Sequence, residues 1–164
     1  MQWLLARAPG FCDLTAEERS AIVDFSLLWS LFEARILNND GNARSIRAAV
    51  VDWYEAGTLQ AGAYDEQLTY FRQRYFANGA FTYHFGHLHL RPNDQKPLVR
   101  SVIDGSNNDP VCGVAAVLIV IFRYRNNLFH GMKWQYELAG QLDNFTNANH
   151  ALMTALDHHG RLQD

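Results

Sequence analysis

A chain of 164 residues has room for one domain, and 48% hydrophobic with 13% aromatic residues are ample for a buried core, which excludes a multidomain enzyme. Charged residues make up only 19%, and no stretch is dominated by Pro, Gly and Ser, which excludes extended disorder. The net charge of -3 excludes a non-specific nucleic-acid coat protein, whose basic surface would show in the total, but leaves room for a local basic site.

The first residues, MQWLLARAPGFC, lack a basic region ahead of a long apolar stretch, so no secretory signal is expected. Thr15-Ala16-Glu17-Glu18 has the form of a capping box and predicts a helix start. Ile22, Phe25, Trp29, Phe32 and Ile36 then recur at spacings of three and four, one apolar stripe of a helix running to about Asn38. A second helix carries Ile46, Ala49, Val50 and Trp53 and stops at Gly57, antiparallel to the first. The third spans Tyr64 to about Ala77, ended by Asn78-Gly79.

From Gly79 to Pro110 the pattern is irregular, with Pro92, Pro97 and Gly105, and predicts a long excursion holding at most a short helix. The fourth helix begins near Pro110, a residue suited to a first turn, and runs through Val114, Leu118, Ile121 and Phe122 into Arg123. Its apolar run, Val111 to Phe122, falls short of the roughly 20 residues a bilayer span needs, and reads as a core helix. The last helix covers about Met132 to Asp157, with Leu138, Leu142, Phe145, Asn149, Leu152 and Leu156 along one seam. The expected fold is an all-α bundle of four to five helices in a single domain over 1-164, with an irregular insertion at about 79-110.

Two cysteines, Cys12 and Cys112, make neither a disulfide framework nor a four-ligand zinc site, and the default compartment is a reducing cytoplasm. His84, His87 and His89 cluster in an aromatic-rich stretch. No cysteine or carboxylate stands beside them until Asp94, so they read as lining a cleft or interface, with no metal expected. His158 and His159 are expected in solvent at a frayed end.

The chemistry concentrates in Arg123-Tyr124-Arg125-Asn126-Asn127-Leu128-Phe129-His130-Gly131. Between Asp109 and Glu137 there is no acidic residue, while Arg123, Arg125, His130 and Lys133 all fall there, so positive potential is encoded in one segment. A histidine can take the proton of a ribose 2′-OH or protonate the leaving 5′-oxygen. An arginine is always charged and offers forked donors to the non-bridging oxygens of a pentacoordinate transition state, with no metal required. On an unbroken helix Arg125 and His130 lie roughly 140° apart. They share a site if the helix frays at Asn126-Asn127, or if two copies of the segment face each other across a two-fold axis.

The string RNNLFHG resembles the HEPN superfamily, whose ribonuclease members carry an Arg, a polar residue and a His with four to six residues between Arg and His; here these are Arg125, Asn126 and His130, and Arg123, with six residues before His130, fits the same window as the alternative arginine. About seven residues carry the likeness. Arg-His spacing of this kind arises by chance roughly once or twice in such a chain, so the weight rests on Asn126, Gly131 and the position between two strong helices. The resemblance implies an all-α homodimer with a composite cleft and metal-independent endoribonuclease activity of the toxin-antitoxin or phage-defence kind, with no cofactor.

In that reading Arg125 stabilises the phosphorane, His130 is the general acid or base, and Asn126 holds the histidine or a phosphate oxygen. Arg123, Lys133 and Asn127 meet the RNA backbone, and Glu33, flanking the first helix's stripe, orients the arginine. Met132 stands where members regulated by tyrosine modification carry a tyrosine, so an antitoxin or regulatory partner is expected to act by binding. The rival reading is an inactive HEPN-like module that binds a nucleotide or a partner protein.

Overall fold

The computed structural model describes residues 1–130 and 139–162. Eight α-helices run through them: α1 (Gln2–Arg7), α2 (Ala16–Arg35), α3 (Ala43–Glu55), α4 (Asp65–Tyr75), α5 (Tyr83–Gly86), α6 (Lys96–Ile103), α7 (Pro110–Phe129) and α8 (Leu142–His159), with a 3-10 turn at Ala61–Tyr64. The protein is mostly helical. Five of these helices exceed ten residues, α2, α3, α4, α7 and α8, and they form the bundle.

The capping box is present: the Thr15 hydroxyl accepts from the Glu18 amide at 3.1 Å while the Glu18 carboxylate accepts from the Thr15 amide at 2.9 Å. Glu18 has a second task, accepting from the Gly140 amide at 2.6 Å, so one buried carboxylate joins the start of α2 to the turn that leads into α8. The Thr15 amide foremost, with Gly140, the Thr15 side chain and Gln141 adding to it and burial opposing, holds the Glu18 carboxyl below its ordinary value. Its contribution is therefore full above the unfolded-state value and is lost as pH falls through the lower folded one. Glu18→Ala is expected to cost about 2 kcal/mol in urea unfolding at neutral pH, a gap that closes on acidification. An equal cost at every pH would contradict this role.

α7 is the central helix, buried without interruption from Gly113 to Tyr124. It packs against α3 and α6 on its flanks, while α2 pairs with α8. Phe25 of α2 meets Phe145 of α8 with ring centroids 5.1 Å apart, and Trp29 lies 6.0 Å from Phe122 of α7, so aromatic side chains knit the two layers. Asn149, the polar member of the α8 seam, is buried and donates to the Ala21 carbonyl of α2 at 3.0 Å, which fixes the pairing. α7 is long and apolar enough by composition to cross a membrane, but 83% of that stretch is buried inside the fold, as in a core helix.

Several boundaries differ from expectation. Asn78 and Gly79, both at positive φ (53° and 76°), do not merely end α4; they turn a two-residue hairpin that pairs Phe76 with Phe81 and Ala77 with Ala80. The excursion at 79-110 holds two helices, α5 and α6, more than the one short helix expected, and Pro97 stands in the first turn of α6 and does not interrupt it. α7 continues past Arg123 to Phe129. The last helix begins only at Leu142, after a turn with Gly140 at φ 73°, and the expected part over Met132 to Leu138 lies outside the described residues. His159 is not simply solvated: its ring stacks on Trp53 at 3.9 Å, closing α8 against α3.

Candidate functional site

Asp109 caps α7 by accepting from the Cys112 amide at 2.8 Å, and Pro110 supplies a first-turn residue that needs no amide partner. From that start the helix runs unbroken through Asn126 and Asn127, so its residues alternate between two neighbours at 100° per residue. Arg123 and Asn127 face the 87–94 loop. Arg125 faces α2.

The Arg123 side chain is 3% exposed; its Nε donates to the Leu88 carbonyl at 3.0 Å and its guanidinium pairs with Asp94 at 3.1 Å. Burial lowers its pKa and Asp94 opposes that, so the pair is a structural one. Asn127 is likewise buried and donates to the His87 carbonyl at 3.1 Å. Neither side chain is offered to a polynucleotide backbone as the sequence reading expected, because both are spent on pinning the 87–94 loop to α7. Asp94, noticed in the sequence only as a distant neighbour of the histidines, is the missed member of this group. Lys133, expected to meet RNA, lies outside the described residues, as do Gly131 and Met132.

Arg125 is different. It is 30% exposed, with one guanidinium nitrogen 3.9 Å from Glu33 and another donating to the Asn126 side-chain oxygen at 3.0 Å. Its Nε is buried with no hydrogen-bond partner among the described residues, and its guanidinium lies 5.7 Å from the Phe129 ring centre. Glu33 is itself aimed: it accepts from the Trp29 indole at 3.1 Å, and Trp29 is locked in the core. Gly41 makes room for that carboxylate, since a Cβ there would overlap Oε1 and stand 2.8 Å from Cδ. The structure thus brings Arg125, Asn126 and Glu33 together, with Trp29 and Gly41 as supports that no spacing rule picks out.

His130 follows the last residue of α7, is exposed, and donates its amide to the Asn126 carbonyl at 2.9 Å. It lies roughly 140° from Arg125 around the axis and about 40° from Asn126. The helix does not fray at Asn126-Asn127, so of the two routes that would unite Arg125 and His130 the one within a single chain is closed.

The histidine stretch at α5 forms an aromatic shelf, with Tyr83 4.0 Å from His84 and 5.4 Å from His87. Among the described residues no group of three His, Cys, Asp or Glu is placed to hold a metal ion. Comparison of the chain with family models, with curated proteins and with solved structures gave no match. The chemistry of the site therefore rests on its own groups: a partly exposed guanidinium with an unused donor, an amide that braces it, and an imidazole at the helix end.

Gly41→Ala tests the bracing. Because the overlapping atoms end a flexible side chain, stability is expected to change by less than about 1 kcal/mol while the Glu33 carboxylate swings off Arg125. A crystal structure of the variant with the Arg125–Glu33 contact intact would refute it.

Proposed function

We propose that the protein is a metal-independent endoribonuclease of the HEPN type that works as a homodimer. The observation carrying this reading is Arg125, held between Glu33 and Asn126 with its buried Nε unpaired among the described residues, five residues before the exposed His130. A guanidinium braced on two sides keeps its orientation while a phosphate oxygen approaches its exposed edge, which is what stabilising a phosphorane requires. Burial of an unsatisfied donor is costly in a purely structural residue.

The reaction needs two proton transfers. One group takes the 2′-OH proton as O2′ bonds to phosphorus, and another gives a proton to the departing 5′-oxygen. His130 supplies one role and His130 of the partner subunit the other, across a two-fold axis that also presents both copies of Arg125. The products are a 2′,3′-cyclic phosphate and a 5′-hydroxyl, with no water consumed and no metal involved. An effector of this kind acts in the cytoplasm as a toxin or phage-defence protein, restrained by an antitoxin or regulatory partner.

The test is incubation of the purified protein with mixed RNA in excess EDTA and mapping of fragment ends. Cleavage leaving 2′,3′-cyclic phosphates is expected. Intact RNA from a folded dimer would favour the non-enzymatic binding module.

A further inference from the structure

On the face of α7 opposite Arg125 a cavity of about 280 Å³ lies between α4, the α5 stretch, α7 and the start of α8. Its wall holds Arg74, His84, His87 and His89, and among the described residues it includes no Asp or Glu. Anion binding is the chemistry such a wall favours, because it offers cationic and N–H donors and no carboxylate to repel the guest.

The floor is fixed and uncharged. Tyr124 donates to the Asn144 side-chain oxygen at 3.2 Å and Tyr70 donates to the same atom at 2.8 Å. The single Tyr124 proton being so used, Tyr75 must be the donor in the Tyr75–Tyr124 hydrogen bond. Burial pushes both phenols up, so no phenolate forms at the bottom of the cavity. Arg74 stands beside this chain, its guanidinium hydrogen-bonded to Tyr70 and Tyr75, while its buried Nε has no partner among the described residues. Asn127 donates to the His87 carbonyl and holds the opposite wall in place.

Size and lining narrow the class of anion. A bare phosphate would fill only a fraction of 280 Å³, and the mouth carries the Tyr83 ring, 72% exposed and tilted against His84, which suits a flat or ring-shaped body. We propose that this cavity binds a small organic phosphate, with Arg74 and the imidazoles around the phosphate and Tyr83 against the organic part. The inference rests on this cavity alone and stands whether or not Arg125 and His130 cleave RNA.

Calorimetric titration of the full chain with ribose 5-phosphate, adenosine 5′-monophosphate and inorganic phosphate tests it. Saturable binding of one organic phosphate per chain is expected, with inorganic phosphate and the Arg74→Gln variant each weaker by about tenfold or more. No saturation at millimolar ligand, inorganic phosphate binding as tightly, or unchanged binding by a folded Arg74→Gln would each overturn the proposal. Tyr83→Ala removes an exposed ring and so spares folding; it should weaken the organic ligands and leave inorganic phosphate unaffected, and no difference from wild type would count against the site.

One further arm locates the ligand. A single-stranded RNA without terminal phosphate should not displace ribose 5-phosphate; displacement would assign the cavity to a backbone phosphodiester and overturn the small free ligand.

Discussion

His130→Ala is expected to lower RNA cleavage by about 10²–10⁴-fold while leaving the melting temperature and dimer mass unchanged. The side chain is exposed, and the bond to the Asn126 carbonyl is made by the backbone amide, which the substitution keeps, so removing the imidazole takes nothing from the buried core. Arg125→Ala should cost about 10²–10³-fold, and Arg125→Lys should recover little, because an ammonium cannot replace a planar fork. Glu33→Gln should cost less than about tenfold, since its 3.9 Å contact with a partly exposed arginine positions and does not react. Mixing wild-type chains with an excess of His130→Ala chains offers a sharper test. If one cleft takes an imidazole from each subunit, a mixed dimer keeps only one of the two and cleavage falls below that of the same wild-type chains alone; cleavage in proportion to the wild-type chains present would count against the shared cleft. Equal cleavage by wild type and His130→Ala would place the chemistry elsewhere.

The bundle was legible because its signals are local. The Thr15–Glu18 capping box, the stripe from Phe25 to Phe32 and Gly57 at φ 68° each specify their own stretch of backbone, and α2 and α3 follow. The stretch from Gly79 to Pro110 was not, because short elements there are held by contacts from afar. α5 has four residues, too few for a period, and its place depends on Asn127 and Arg123 reaching the carbonyls of His87 and Leu88. Pro97 and Asn78-Gly79 are ambiguous from sequence, since proline opens helices as readily as it breaks them, and Asn-Gly ends a helix or turns a hairpin.

The site divides in the same way. Helical spacing around Arg125 set its angle to His130, and the position of Glu33 on the flank of its stripe gave the pairing with Arg125 as one option. Burial could not be read: Arg123 and Arg125 are two residues apart with similar surroundings in sequence. Whether a guanidinium meets Asp94 or solvent depends on a loop about thirty residues away.

That contrast yields the largest stability effect expected in this protein. Asp94→Ala leaves the Arg123 guanidinium buried, 3% exposed, with only the Leu88 carbonyl to meet it, and also removes the acceptor of the Arg91 amide at 2.8 Å. Stranding one member of a buried ion pair costs about 3–5 kcal/mol, a large share of the stability of a domain this size. The cost should appear in urea unfolding at neutral pH, and amide exchange should speed first in 87–94, the segment these bonds pin. Arg123→Met tells the two roles of the arginine apart. An apolar side chain of similar length fills the space without needing a partner, but it leaves Asp94 behind, so Arg123→Met with Asp94→Asn should recover much of the loss. If Arg123 instead served the RNA backbone, the double variant would fold well and bind RNA poorly, with a reduced salt dependence. Burial at 3% predicts the opposite: restored folding, and RNA affinity and salt slope unchanged from wild type.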